Sequence, residues 1–141
     1  MTSTETEVAV LFADVVGSTR LYELLGDQQA RALIQLSVEI MRDATGRNRG
    51  TVIKTIGDEI LAIFPTVDDA VNAGGEMQQD IGARPELLVQ GQHVAIRIGC
   101  HFGPVVLENK DIFGASVHTS NRMTSQAKAG QIILSADTVR R

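Results

Sequence analysis

Cysteine is nearly absent from this 141-residue chain: Cys100 stands alone, which excludes an internal disulfide and fits a reducing cytoplasm. No apolar run approaches the ~18 residues of a membrane helix. The first residues, MTSTETE, are polar and acidic, so neither a transmembrane helix, a signal peptide nor membrane contact is expected within these residues. A basic excess is missing too. Thirteen Lys and Arg stand against 17 Asp and Glu, a net charge of -4, where a duplex-binding protein carries a basic face; nucleic acid is not an expected partner. There is no internal repeat, low-complexity stretch or linker. What remains, 43% hydrophobic and 21% charged, is an ordinary globular composition, and the length suits one domain over residues 1–141.

Residues 7–14 alternate Val8, Val10 and Phe12 with Ala9, Leu11 and Ala13. Both faces are apolar, which predicts a central strand covered on both sides. Gly17, Ser18 and Thr19 then offer a cap for one long helix carrying Leu21, Leu25, Leu33, Leu36, Ile40 and Ala44, fading over residues 45–50. Two β-branched runs, Thr51–Ile56 and Glu59–Phe64, flank Gly57-Asp58, a strong hairpin signal. Thr66 and Asp69 read as a capping box opening a helix with Val67, Ala70, Val71, Met77 and Ile81. Residues 93–107 read as strand broken into a hairpin at Gly103-Pro104, 115–129 as a helix ended by Gly130, and 131–135 as a last strand. A helix begins near the end of the sequence, as if the domain were truncated there. The order predicts an α+β fold, helices packed on a mixed sheet.

Several residues break these patterns with chemistry. Asp14 continues the Val8, Val10, Phe12 face, where a carboxylate needs a partner; a metal ion is one, and a strand-end or capping role is the plainer alternative. Asp58 in the hairpin turn is equally a turn residue. Two carboxylates on adjacent strand ends would suit Mg²⁺, which binds through few carboxylates plus substrate phosphates. The segment Val15-Val16-Gly17-Ser18-Thr19 leads into a helix N-terminus, which favours a phosphate. Lys54 shares a face with Val52 and Ile56, Arg97 lies mid-strand, and His118 and Arg122 are four apart on one helical face. By themselves these last four are solvated polar residues.

Taken together, four stretches resemble the class III adenylyl and guanylyl cyclase catalytic domain in order and spacing: FADVVGST at 12–19, KTIGDE at 54–59, RIGCHFGPV at 97–105, and DIFGASV at 111–117 leading to Arg122-Met123. The resemblance implies a mostly antiparallel sheet with a ferredoxin-like βαββαβ core. It implies that Asp14 and Asp58, with Val15, hold two Mg²⁺ or Mn²⁺ ions. Val16, Gly17, Ser18 and Thr19 would cradle the triphosphate, and Arg97 would bind phosphate or leaving pyrophosphate. Lys54 and Asp111 would read the purine; that pair suits adenine, whereas guanine-reading members typically carry Glu and Cys. Arg122 would steady the α-phosphoryl group.

The implied activity is conversion of ATP to cyclic AMP at a homodimer interface, in a cytoplasmic protein coupled to a regulatory module outside this chain. Two departures stand out. His118 occupies the place of the family's ribose-orienting Asn, with Asn121 on a different helical face, and the family's further strands, with a phosphate-contacting lysine, do not follow. Both motivate an alternative: a catalytically weak or inactive regulatory domain that binds nucleotide. A guanylyl cyclase is disfavoured by Lys54 and Asp111, and a diguanylate-type enzyme by Ile56 where a first glycine would stand.

Overall fold

A computed structural model describes residues 4–139. Strand β1 (Thr4–Val15) leads through a short loop into helices α1 (Ser18–Leu25) and α2 (Asp27–Arg47); β2 (Thr51–Ile56) and β3 (Glu59–Phe64) form a hairpin, followed by α3 (Val67–Ala83). A small hairpin, β4 (Leu88–Val89) and β5 (Gln92–His93), precedes the long strand β6 (Ile96–Glu108), then β7 (Asp111–Phe113), α4 (Ala115–Gln126), β8 (Ile132–Leu134) and α5 (Ala136–Val139). The main sheet runs β2-β3-β1-β6-β7, with β8 parallel to the start of β6 and the other pairings antiparallel. Strands β6-β1-β3-β2 with their helices are the ferredoxin-like βαββαβ core that the resemblance implied.

Strand β1 is central, as its two apolar faces predicted: Val8 to Ala13 are all buried. One face, with Ala9, Leu11, Ala13 and Val15, packs with Ile34, Met41, Met77 and Ile98 in the main core beneath α1, α2 and α3. The other, with Val8, Val10 and Phe12, joins Leu61, Val105 and Ile112 in a smaller core. Part of this second face is covered by α4. Its buried residues Ser116, Ser120 and Thr124 stand four apart, and a hydroxyl stripe can lie on a strand only if its protons find acceptors. Ser120 donates to the Val10 carbonyl at 2.7 Å and Thr124 back to that of Ser120 at 3.1 Å. The approach is close enough to require glycine beneath it, since a Cβ on Gly99 would lie 2.1 Å from the Thr124 amide nitrogen and one on Gly103 would lie 2.5 Å from Ser116 Oγ.

Three sequence expectations are corrected. The long first helix is two, because Gly26 adopts φ 81°, ψ 169° and its amide closes onto the Tyr22 carbonyl at 2.9 Å. The turn expected at Gly103-Pro104 is absent; β6 runs straight through it. Gly103 serves the α4 approach, and Pro104 sits where β6 has only β1 beside it, so its missing N–H costs no second ladder. The real turn is Asn109-Lys110, both at positive φ, between β6 and β7. Helix α4 ends at Gln126, three residues early, as Ala127 turns extended. The Thr66 cap is present, accepting from the Asp69 amide at 3.1 Å, and the last helical turn begins as expected at Ser135, with Arg140 and Arg141 outside the described residues.

The α4 contact yields a stability prediction. Gly99→Ala must push α4 off the sheet and is expected to cost about 1–3 kcal/mol, the range for overpacking. Gly46→Ala, in α2 with open space around it, is expected to stabilise by about 0.5–1 kcal/mol. Urea unfolding of both variants checks this; equal effects would contradict close packing at Gly99.

Candidate active site

The second face of the sheet carries the chemistry because of register. In the β1 ladders Asp14 stands directly opposite Glu59 of β3 on one side and Arg97 of β6 on the other. Ile56 pairs with Glu59 in turn. Residues directly opposite share a face, so Ile56, Glu59, Asp14 and Arg97 form one transverse row at the end of the sheet. The next row is Lys54, Leu61, Phe12 and Gly99. Asp58 joins this end through its backbone, where its carbonyl accepts from the Val15 amide at 3.2 Å. The hairpin tip is thereby tied to the end of β1.

Within the row, Arg97 donates from Nε to Asp14 Oδ1 at 2.9 Å and from Nη2 to Oδ2 at 3.3 Å. This bond to Asp14 raises the guanidinium above its ordinary value, against the opposing effect of burial, with the charges of Glu59 and Asp58 acting in the same direction as Asp14. Burial pushes the Glu59 carboxyl above the usual carboxylate range; Asp14 and Asp58 push it the same way and Arg97 opposes them. Asp14 is thus bonded to the cation, while Glu59 and Asp58 act on the pair through their charge alone. Glu59 escaped the sequence reading, because its place beside Asp14 depends on β1–β3 register; the only signal was its position after Asp58.

Beyond β1, Val16 is anchored by its amide to the Ala95 carbonyl at 2.9 Å. Helix α1 starts after Gly17 without a side-chain cap, which leaves its N-terminal amides available to an anion. Ser18 is half-buried and Thr19 exposed. A mostly apolar cavity of about 300 Å³ lies behind this loop, against the β4–β5 hairpin, lined by Val16, Gly17, Leu21, Leu24, His93 and Val94 among others. None of the carboxylates lines it.

Farther along the same face, Lys54 Nζ donates to Asp111 Oδ2 at 2.9 Å. The β6–β7 hairpin curls over the small core and brings Asp111 to the far-edge strand β2. The bond from Lys54 holds the Asp111 carboxyl below the usual range, helped by the Ile112 amide at 2.8 Å. His118 and Arg122 are exposed. They lie two residues on from the buried Ser116 and Ser120, hence on the far side of α4 from the sheet. Arg122 makes one long bond, to Thr119 Oγ1 at 3.4 Å. The structure therefore brings Asp14, Asp58 and Arg97 together, pairs Lys54 with Asp111, and turns His118 and Arg122 away from the carboxylates of their own chain.

Among the described residues no three His, Cys, Asp or Glu side chains converge as a metal cage. Mg²⁺ needs none, since one or two carboxylates, water and substrate phosphates complete its shell; Asp14 and Asp58 fit that donor set. Cys100, the one thiol, is buried, which pushes it up to about 12 and leaves it inert.

The Lys54–Asp111 pair gives a titration test. A carboxyl lowered in the folded chain contributes stability above its ordinary value, lost as pH falls through the lowered one. In Lys54→Met the Asp111 titration, followed by ¹³C NMR, is expected to move up, stopping short of the ordinary value because Ile112 still donates. No movement would show that Lys54 is not the cause.

Comparison with known proteins gives the family. An adenylate cyclase of Streptomyces griseus is 32% identical over 127 residues, covering 89% of this chain and 30% of that protein. The adenylate/guanylate cyclase/hydrolase structure from Silicibacter pomeroyi is 30% identical with a TM-score of 0.83, covering 99% of this chain and 81% of that one. The catalytic core of a rhodopsin-guanylyl cyclase with converted specificity, in complex with ATPαS, is 26% identical with a TM-score of 0.88, covering 99% and 83%. The chain spans less than half the length of the curated relatives it matches, and no described helix is long and apolar enough to cross a membrane. Residues 1–141 match the adenylate and guanylate cyclase catalytic domain, and this chain belongs to that family.

Proposed function

We propose that the chain is an adenylate cyclase domain, converting ATP to 3′,5′-cyclic AMP and pyrophosphate as a homodimer. One observation carries this reading: the Asp14–Asp58 strand end and the Lys54–Asp111 pair lie on one face of one sheet. The first suits the triphosphate and the second suits adenine. A lysine donates to adenine N1 and a carboxylate accepts from the N6 amino group, whereas guanine presents a carbonyl and a protonated N1 at those places.

Asp14, Asp58 and Val15 would hold the Mg²⁺ or Mn²⁺ ions, which when bound lower the pKa of the ribose 3′-hydroxyl and neutralise phosphate charge. The loop amides of residues 16–19 would hold the phosphates, and Arg97 would take charge on the departing pyrophosphate. In the reaction the 3′-oxygen loses its proton and bonds to the α-phosphorus, and the bond from that phosphorus to the bridging oxygen breaks. Positioning and electrostatics supply most of the catalysis.

The outward direction of His118 and Arg122 supports the homodimer. Arg122 can steady an α-phosphoryl group only if the carboxylates come from another copy, and a two-fold pair of chains then makes two equivalent sites. Ile56, 52% exposed beside Glu59, gives that face an apolar component. A second reading, a nucleotide-binding regulatory domain with little turnover, is favoured by His118, since an imidazole is bulkier than the Asn amide and offers a different donor geometry to the ribose. In a cytoplasmic signalling protein either domain would answer to a module outside these residues.

Asp14→Ala and Asp58→Ala are each expected to lower metal-dependent cyclic AMP formation at least about a hundredfold, more than the loss of an outer-shell group. Mass-spectrometric product detection checks this, and undiminished turnover in either variant overturns the metal assignment. Lys54→Glu with Asp111→Cys is expected to shift the ATP-to-GTP ratio of kcat/KM toward GTP by about tenfold or more. An unchanged ratio would remove these two residues as base readers.

A further inference from the structure

Asp14 is already engaged in the ligand-free chain. A single guanidinium covers both of its oxygens, from Arg97 Nε at 2.9 Å and Nη2 at 3.3 Å. The two residues are directly opposed in the β1–β6 ladder, so the backbone keeps them neighbours whichever partner the Arg97 side chain takes. By contrast, the Asp58 and Glu59 carboxylates accept no hydrogen bond from the described residues. The third nitrogen of Arg97, Nη1, reaches the Ser125 carbonyl in the last turn of α4 at 3.4 Å, where the negative end of the helix favours a cation. Only the Nε bond is short; the other two are long. With its side chain 34% exposed against 16% for Asp14, Arg97 is the solvent-facing member of the pair and the one free to swing.

A divalent cation and a guanidinium against the same carboxylate repel each other, and more strongly in a half-buried place than in water. Bare protein therefore offers a metal a carboxylate whose charge is already spent. A triphosphate changes the balance, because its oxygens offer Arg97 a more highly charged bidentate partner than one carboxylate. We propose, on the reading of Asp14 as a metal ligand, that Arg97 is a resident counterion that hands Asp14 over: it covers the carboxylate in the empty site, transfers to the incoming triphosphate, and so uncovers Asp14 for the cation. Metal and nucleotide binding are then coupled through one side chain, and by linkage each tightens the other by the same factor. Asp58 and Glu59 remain as uncompensated charge that holds the cation once Arg97 has left.

The test is the affinity of the full chain for Mn²⁺, from the EPR signal of the free ion, with and without a non-cyclisable ATP analogue. The wild type is expected to bind Mn²⁺ weakly alone and about tenfold or more tightly with the analogue. Arg97→Gln is expected to bind Mn²⁺ alone about two- to fivefold more tightly than wild type, the scale of one partly exposed charge pair, and to gain less from the analogue. Arg97→Lys, which keeps the charge and loses the fork, is expected to fall between them. If Arg97→Gln binds Mn²⁺ alone no more tightly than wild type while Asp14→Asn loses binding, the handover is wrong and the metal assignment stands. If Asp14→Asn binds as wild type does with the analogue present, the metal assignment fails and the handover with it. The wild type also gives a readout that needs no variant. The ¹⁵Nε resonance of Arg97 is expected to shift when Mg²⁺ and the analogue are added together, and a resonance that stays where it was overturns the proposal.

Discussion

The register of β1 between β3 and β6 is the constraint on which the site depends. Because side chains alternate across a sheet, a slip of one residue would carry Asp14 to the face buried under α1, α2 and α3. The buried alternation on both faces of β1, Val8, Val10 and Phe12 against Ala9, Leu11 and Ala13, forbids that slip, since no neighbouring register keeps both cores filled. With β1 fixed, Glu59 and Arg97 are fixed beside Asp14, and the Val15 amide brings the Asp58 backbone to the same end. The chemistry at the strand end is thus held by hydrophobic packing one to three residues away from it.

The second element of control is α4, seated on glycines rather than on a layer of apolar side chains. Gly99 and Gly103 let the Ser116, Ser120 and Thr124 stripe contact the strands, which sets the rotation of the helix. That rotation directs His118 and Arg122 outward. A larger residue at Gly99 would unseat the helix, and the same close contact explains why Gly103 lies inside a strand rather than in a turn.

Much of this was legible in the sequence where local signals act alone. Strand β1, the Gly57-Asp58 hairpin with both its strands, the Thr66 cap and the α+β order follow from alternation, turn chemistry and capping. The misses share a cause: Gly103-Pro104 reads locally as a turn, and only the absence of a second neighbour beside β6 makes it strand. The Gly26 break hid within a continuous apolar period that two helices share. Asp14 stood out because a carboxylate interrupted an apolar face, whereas Glu59 and the Arg97–Asp14 pair depend on partners more than 40 residues away, which no local window contains. Lys54 and Asp111 were paired by family resemblance alone; their 2.9 Å contact requires the β6–β7 hairpin to curl across the sheet.

The position a metal takes is the most direct test of the Asp14–Asp58 site. Crystals of the chain grown with Mn²⁺ and a non-cyclisable ATP analogue, with diffraction recorded at a wavelength where manganese scatters anomalously, locate it without reference to turnover. The expected map has anomalous density in coordination contact with the Asp14 and Asp58 carboxylates and the triphosphate against residues 16–19. Manganese bound elsewhere, with Asp14 still closed under Arg97 while the nucleotide is in place, would contradict it.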